Sequence, residues 1–244
     1  MYPDRRITNR ARVFILAVVF VLTACTNNPI RLPGSVDDTP GADPRLSRNS
    51  NFDFFTRSGL EACVIGGVGG ILICELTASK KDKGTCRIAA AIIGCGVGVG
   101  TDVYLNHQRD KYANREQRLR AMTDDVRKDN ERLQGLTSTA REVMKDDRAS
   151  MEKLRRDIRS KQVSNEEARK KLDEIDANRA YLEKTVTDLK KRLTEWRDIA
   201  SKERKSGVRV DTMNAEINKM QNQVASLESE IDQLYQQRSA IKIG

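Results

Sequence analysis

The chain has little proline, histidine or aromatic side chain, and each shortage narrows what it can be. No proline follows Pro44 in the 244 residues, so long helices beyond it meet none of the ring clashes that break a helix. Aromatic residues make up only 5 % and charged residues 32 %, a composition typical of long solvated helices and unsuited to one large globular core. His107 is the only histidine, and we interpret it as a surface residue and not as a catalytic base.

The N-terminal apolar run is too short to span a membrane. It covers Val13–Leu22 and reaches about 15 Å as a helix, whereas a span needs roughly 20 residues. Four arginines precede it: Arg5, Arg6, Arg10 and Arg12. A basic segment followed by a short apolar run is typical of a signal peptide, which we predict over residues 1–24.

The end of this segment, Leu22-Thr23-Ala24-Cys25, resembles the lipobox of bacterial lipoproteins. The resemblance implies cleavage between Ala24 and Cys25 and a diacylglycerol on the Cys25 sulfur, with further acylation such as palmitate, and no other cofactor. Two or more acyl chains anchor a protein stably to membrane lipid. Thr26 follows, where an Asp would signal retention in the inner membrane. We therefore expect the outer membrane, with the protein facing the periplasm; a plain secretory signal is the alternative.

Residues 25–57 form the next predicted segment. Four of the five prolines of the chain lie in it, among Asn, Gly, Ser and Asp. Because such a segment has little apolar surface to bury, ordering it is unfavourable. We predict a flexible tether.

Residues 58–105 are predicted to form a short glycine-rich helical hairpin. Small residues recur every fourth position in its two apolar runs: Ala62, Gly66 and Gly70, then Ala90, Gly94 and Gly98. Such a stripe lets two helix backbones approach closely in a membrane. The pattern resembles the glycine zipper of outer-membrane lipoproteins of the 17 kDa surface-antigen type, which implies a membrane-associated hairpin. Each run is about 20 Å long as a helix, so crossing the bilayer, entering one leaflet and packing as a soluble oligomer all remain open.

The other four cysteines lie in this hairpin, and an oxidising envelope favours disulfides. Opposing positions of an antiparallel hairpin are equally far from its turn. The pairs Cys74–Cys86 and Cys63–Cys95 both centre on residues 79–80, and we predict these two disulfides. Zinc binding is the alternative, but structural zinc sites usually contain a closely spaced cysteine pair, so we predict no metal.

Residues 106–244 are predicted to be coiled-coil helices with breaks near 162–164 and 206–210. Apolar residues follow a 4-3 spacing that places Trp196 in the packed seam, with Asp129, Asp147 and Arg179 as its polar members. Ser164 and Glu167 form a capping box, which predicts a helix starting near Asn165. Asp211 or Thr212 is predicted to cap the last helix.

Together these features predict an all-α protein whose long helices form an antiparallel bundle or an oligomeric coil. The net charge of +9 is spread over helices of mixed sign, which argues against nucleic acid. No nucleophile and base stand together, so we predict neither an enzyme nor a small-molecule substrate. The expected function is a structural or adaptor lipoprotein whose coil binds a partner protein or itself. The alternatives are a membrane-active glycine-zipper oligomer, as a pore or ring, and a regulator of a periplasmic cell-wall enzyme.

Overall fold

Every regular element in the described part of the chain is an α-helix, which confirms the all-α prediction there. The computed structural model describes residues 39–48, 51 and 100–243, all within one compact unit, residues 37–244. The helices are α1 (Pro44–Ser47), α2 (Thr101–Lys111), α3 (Arg115–Arg159), α4 (Asn165–Lys205) and α5 (Asp211–Ser239). Among these residues, no helix is long and apolar enough to cross a membrane.

The starts of the long helices are set by local side chains in two of three cases. The predicted capping box is present: Ser164 Oγ accepts from the Glu167 N–H, and the Glu167 carboxylate accepts from the Ser164 N–H. Asn114 caps α3 by accepting from two backbone N–H groups, at 2.9 and 3.2 Å. The prediction of Asp211 or Thr212 as a cap is wrong, because α5 already begins at Asp211 and the preceding Val210 has no capping side chain.

Contacts between the long helices define their directions. Arg127 bonds Glu216 and Arg141 bonds Glu230, so α3 and α5 run the same way. Helix α4 runs opposite to both, because Arg118 near the start of α3 bonds Glu203 near the end of α4. Loops at 160–164 and 206–210 make these reversals, and Gly207 in the second adopts a φ of +82°, which favours glycine.

The core consists of the predicted seams, with one correction on α4. Most of the predicted apolar seam residues are buried, including Trp196, which is 1 % exposed. Arg179, predicted at a seam position, is exposed, and Asn178 beside it is buried instead. A second column of α4 seven residues apart is also buried: Asn178, Thr185, Arg192 and Ile199. The buried face of α4 is therefore wider than a two-column coil seam.

The two short helices explain this width, because both lie between α3 and α4. The backbone N–H of Asp43, at the start of α1, donates to Asn178 Oδ1 at 2.6 Å. Tyr104 of α2 packs edge-on against Trp196, with ring centroids 5.5 Å apart. Along the chain, α1 and then α2 follow α4 in its own direction and occupy the place of a fourth helix.

The packing of α1 and α2 corrects two predictions made from the sequence. The prediction of a flexible tether is wrong for residues 39–48, where α1 packs on the body and Leu46 is fully buried. The predicted segment boundary between 105 and 106 falls inside α2, and Tyr112–Asn114 interrupt the helical run before α3. The first long helix is accordingly 45 residues long and begins at Arg115.

Loss of the Leu46 side chain is expected to release α1. Leu46→Ala removes a buried side chain, a change that typically destabilises the packed state by about 2–5 kcal/mol. The remaining contacts of the single-turn helix α1 are not expected to make up for this loss. Trypsin should then cut after Arg45 and Arg48 much faster, with little change in global unfolding; mass spectrometry identifies the cuts. Val103→Ala, at a side chain 43 % exposed on α2, is the matched control. Unchanged cleavage at both arginines would contradict the docked state of α1.

Candidate functional site

A buried carboxylate joins α2, α3 and α4. Glu203 is fully buried; its Oε2 accepts from Arg118 at 2.9 and 3.1 Å and its Oε1 accepts from Arg109 at 3.1 and 3.2 Å. Arg118 is itself only 7 % exposed and also donates to the Tyr112 carbonyl at 3.3 Å. Two guanidinium groups on one buried carboxylate satisfy its lone pairs, as burial of a charge requires. This cluster fixes α2 to the body.

A second buried carboxylate lies under Trp196. Asp129 Oδ2 accepts from Trp196 Nε1 at 2.8 Å, and Arg192 Nε lies 3.7 Å from the same oxygen. Burial raises the pKa of Asp129, while Arg192 and Trp196 act in the opposite direction. On the other face of this site, the Tyr104 hydroxyl donates to Asp125 at 2.7 Å. The predicted polar seam position at Asp129 thus sets the register of α3 against α4.

The third carboxylate connects α1 to the far end of the body. Asp147 accepts from Asn178 Nδ2 at 2.9 and 3.2 Å and from the Tyr235 hydroxyl at 2.9 Å. Because Asn178 Oδ1 also accepts from the Asp43 N–H, one amide links three helices. Burial raises the pKa of Asp147 to about 6, with smaller contributions from the charges of Asp43 and Asp146; the two hydrogen bonds lower it.

Asp147 is expected to make the protein more stable at mildly acidic pH. Its pKa is about 6 in the folded protein against an ordinary value of 3.8, so the folded state binds the proton more tightly. The stabilisation is fully present below about pH 3.8 and is lost as the pH rises through 6. In the wild type, Asp147 should make the free energy of unfolding larger at pH 5 than at pH 7. This contribution to the difference should be absent in Asp147→Asn. Asp173→Asn, at an exposed position of α4, should retain it.

On the opposite side of the body, two ion pairs along the rim between α3 and α5 lie two heptads apart. Arg127 Nε bonds Glu216 Oε1 at 2.9 Å, and Arg141 Nε bonds Glu230 Oε2 at 2.7 Å, two heptads further along both helices. Each pair has the same offset in sequence, as parallel helices in register require. Exposed pairs of this kind contribute about 0–1 kcal/mol each, so their main effect is on alignment.

Midway between these ion pairs, the rim opens into a groove. Gln134 and Gln223 occupy the positions where the next Arg–Glu pair would stand, and they line a cavity of about 860 Å³. Thr137 lies at its wall and is only 7 % exposed, yet its hydroxyl has no hydrogen-bond partner, and neither has Gln223 Oε1. Buried polar atoms are nearly always paired, so these two are unusual. We refer to this cavity as the α3–α5 groove.

Thr137 differs from the other buried threonines of the described helices. Thr123 donates its hydroxyl to the Leu119 carbonyl at 2.8 Å, and Thr185 donates to the Tyr181 carbonyl at 2.9 Å. Both bonds go to the carbonyl four residues earlier, the usual partner of a helical threonine. The Thr137 hydroxyl makes no such bond, although Thr137 lines the groove.

The residues singled out in sequence as sites lie outside the described part of the chain. They are the cleavage and lipidation residues Ala24 and Cys25, the zipper residues Ala62, Gly66, Gly70, Ala90, Gly94 and Gly98, and the cysteines Cys63, Cys74, Cys86 and Cys95. The predictions made for them stand as predictions. Within the described residues, no group of three or more His, Cys, Asp or Glu side chains is placed to hold a metal ion.

The α3–α5 groove was missed in sequence, although a signal for it exists. Residues 127, 134 and 141 of α3 read Arg, Gln, Arg, and residues 216, 223 and 230 of α5 read Glu, Gln, Glu. The uncharged pair Gln134 and Gln223 lies between two charged pairs of the same register, and it marks the place where the row of ion pairs is interrupted. The signal can be read only once the offset between the two helices is known.

The arrangement of the described residues suits binding and alignment. Glu203, Asp129 and Asp147 bond to side chains of neighbouring helices, and the wall of the groove contains two buried oxygen atoms without a partner. No protein-family model matches the chain, and no curated protein or solved structure shows significant similarity to it.

Proposed function

We propose that this protein is a membrane-anchored structural or adaptor lipoprotein of the bacterial envelope. A lipid on Cys25 holds it to the outer membrane, and the helical body binds a partner protein in the periplasm. The observation that carries the proposal is the lipobox-like Leu22–Cys25 ahead of a body that buries its own heptad seams. A body that satisfies its seams internally leaves its exposed faces and the α3–α5 groove for another molecule.

We infer that the body acts as an antiparallel bundle of one chain and not as an oligomeric coil. Three buried polar contacts join different helices of the same chain: Glu203 with Arg118, Asp129 with Trp196 and Asp147 with Tyr235. Buried polar contacts of this kind specify register and partner choice in helical assemblies. Sedimentation of the purified chain in detergent measures its oligomeric state. A body that is folded only when two or more copies associate would contradict this inference.

Anchoring is tested by metabolic labelling with a palmitate analogue. The label should appear on the wild-type chain and disappear in Cys25→Ser, because only a cysteine sulfur at the cleavage site accepts the diacylglycerol. Cys74→Ser is the matched control and should keep the label. Labelling that survives Cys25→Ser would contradict the lipoprotein assignment.

Partner binding is tested by photocrosslinking in cells from exposed positions on three helices, Glu131, Lys170 and Gln221. An adaptor should give one dominant foreign adduct from at least one face, and the adduct should weaken in Cys25→Ser. Adducts to the same chain alone would contradict the adaptor assignment and favour a self-assembling scaffold.

A membrane-active oligomer is the second candidate, favoured by the spacing of four between small residues in residues 62–98. In that case the glycine-rich hairpins would assemble into a pore or ring. Replacing Gly66, Gly70, Gly94 and Gly98 with leucine should then abolish the oligomer, as measured by crosslinking in the membrane. An oligomer of unchanged size would exclude this candidate.

A further inference from the structure

We propose that α1 is a pH-controlled latch, which docks on the body more firmly when Asp147 is protonated and is released more readily when Asp147 is ionised. The inference goes beyond the proposed adaptor function, because it concerns a change in the position of one short helix. It stands on the buried contacts that link Asp147 to α1 and on the ion pairs of the carboxylates around it.

The segment that begins α1 covers Asp147. Residues 41–44 and Asp147 line the same cavity of about 270 Å³, and Asp147 is only 6 % exposed. The Asp43 N–H donates to Asn178 Oδ1 at 2.6 Å, and Asn178 Nδ2 donates to Asp147 Oδ1 at 2.9 Å. One amide therefore connects the backbone at the start of α1 to the Asp147 carboxylate.

The ion pairs around this cavity leave Asp147 without a cation. Four carboxylates line the cavity: Asp43, Asp146, Asp147 and Glu174. Arg45 bonds Asp43 at 2.8 Å and Asp146 at 2.7 Å, and Lys171 bonds Glu174 at 2.6 Å. In the described part of the chain, Asp147 is the one carboxylate of the four that forms no ion pair. A buried carboxylate without a cation is unfavourable in its charged form.

The hydrogen bonds of Asp147 are compatible with both of its protonation states. Asn178 and the Tyr235 hydroxyl donate to it, and both are neutral groups. A tyrosine hydroxyl can donate or accept, so it can also accept from a protonated carboxyl group. Burial raises the pKa of Tyr235, which keeps this hydroxyl neutral at mild pH. Arg179 lies over the Tyr235 ring, 5.9 Å from its centroid, and is itself paired with Glu183.

The direction of the pH effect follows from what the release of α1 exposes. Burial raises the pKa of Asp147 to about 6, and the charges of Asp43 and Asp146 raise it further. Release of α1 removes part of the burial and the nearby charge of Asp43, so the pKa falls towards its ordinary value of 3.8. The docked state therefore binds the proton more tightly, and docking weakens as the pH rises through 6. Asp43 stays ionised over this range, because its bonds to Arg45 hold its pKa below the usual value.

In the anchored protein, the latch sets where the chain first meets the body. With α1 docked, this attachment lies at residues 39–48; with α1 released, these ten residues add up to about 35 Å of reach. The added reach rests on the proposed lipid anchor at Cys25, whereas the latch itself does not. Loss of lipid labelling would overturn the anchor and leave the latch in place, and a failed latch would leave the labelling unchanged.

Hydrogen exchange of the Asp43 N–H measures docking directly, because its acceptor lies on another helix. NMR of the full chain in detergent gives its protection relative to an unstructured peptide at the same pH. The protection should be about three- to tenfold greater at pH 5 than at pH 7. Asp147→Asn, which stays neutral, should abolish this difference, and Asp173→Asn at an exposed position should keep it. Equal protection at the two pH values, or a difference that Asp147→Asn keeps, overturns the proposal.

A core amide separates the release of α1 from the unfolding of the body. Leu189 lies in the middle of α4 and is fully buried, so its N–H should exchange only when the body unfolds. The protection of the Asp43 N–H should be at least about tenfold lower than that of the Leu189 N–H at both pH values. Equal protection of the two amides would mean that α1 and the body open together, and it would overturn the latch.

Leu46→Ala tests the coupling from the other side. If protonation of Asp147 favours docking, release of α1 must weaken the binding of the proton by the same factor. Titration of the Asp147 carboxyl group, followed by ¹³C NMR, should have its midpoint near pH 6 in the wild type and at lower pH in Leu46→Ala. Val103→Ala, on the exposed side of α2, should keep the wild-type midpoint. An unchanged midpoint in Leu46→Ala overturns the proposal.

Discussion

Replacing Glu203 with alanine is expected to destabilise the folded protein by about 3–5 kcal/mol. The variant removes the carboxylate but leaves Arg118, 7 % exposed, buried with only the Tyr112 carbonyl to accept its hydrogen bonds. An unpaired buried charge is far less favourable than the pair that it came from. Arg109 loses the same partner, so α2 should separate from the body before the long helices unfold. Urea unfolding followed by circular dichroism measures the loss.

The matched control for this experiment is Glu116→Ala. Glu116 pairs with Arg120 on the surface of α3, where the two side chains are 82 % and 78 % exposed. Exposed ion pairs one turn apart contribute at most about 1 kcal/mol, so this variant should be close to the wild type. A loss of stability in Glu203→Ala as small as that of the control would mean that Arg118 reaches solvent in the variant. The cluster would then not be what fixes α2.

Replacing Trp196 with alanine is the second large effect, and we expect a loss of about 3–5 kcal/mol. The indole is 1 % exposed, so its removal leaves a cavity in the core between α3 and α4. It also takes away the donor to Asp129 and the edge contact with Tyr104. Chemical unfolding should be followed by circular dichroism, because Trp196 is the only tryptophan of the chain and its fluorescence is lost.

Trp196→Phe separates the two contributions of the indole. The phenyl ring fills most of the cavity and keeps an aromatic face towards Tyr104, while the N–H that Asp129 accepts is gone. The expected loss is about 1–3 kcal/mol, the typical effect of leaving a buried acceptor short of a donor. A loss equal to that of Trp196→Ala would mean that the hydrogen bond, and not the packed volume, dominates at this position.

The local features of the helical body were predictable from sequence because they depend on residues close together in the chain. Ser164 and Glu167 lie three residues apart, so their capping box appears in the sequence and marks the start of α4 correctly. The 4-3 spacing likewise placed Trp196 in the core. The cap of α3 at Asn114 was missed, although Gln117 three residues on is the companion that a capping box uses.

The placement of α1 and α2 could not be predicted, because it depends on contacts between distant parts of the chain. Leu46 stands among Pro, Asp and Arg, a neighbourhood that predicts a solvated linker, and is buried only because α3 and α4 leave room for it. The error at Arg179 has the same origin. A coil of two packed columns selects position 179, whereas a helix also covered by α1 buries Asn178 instead. The α3–α5 groove is equally non-local, since it exists only between two helices in a given register.

The docking of α1 and α2 also determines how the body responds to mechanical load. A pull on the chain ahead of Thr39 reaches α1 first, where Leu46 and the bond from Asp43 to Asn178 resist it. The load therefore enters the body through α1, at Asn178 of α4 and Asp146 of α3. Helix α2 is held by a separate set of contacts, the bond of Arg109 to Glu203 and the buried ring of Tyr104. Detachment of α1 thus leaves the attachment of α2 to the long helices in place.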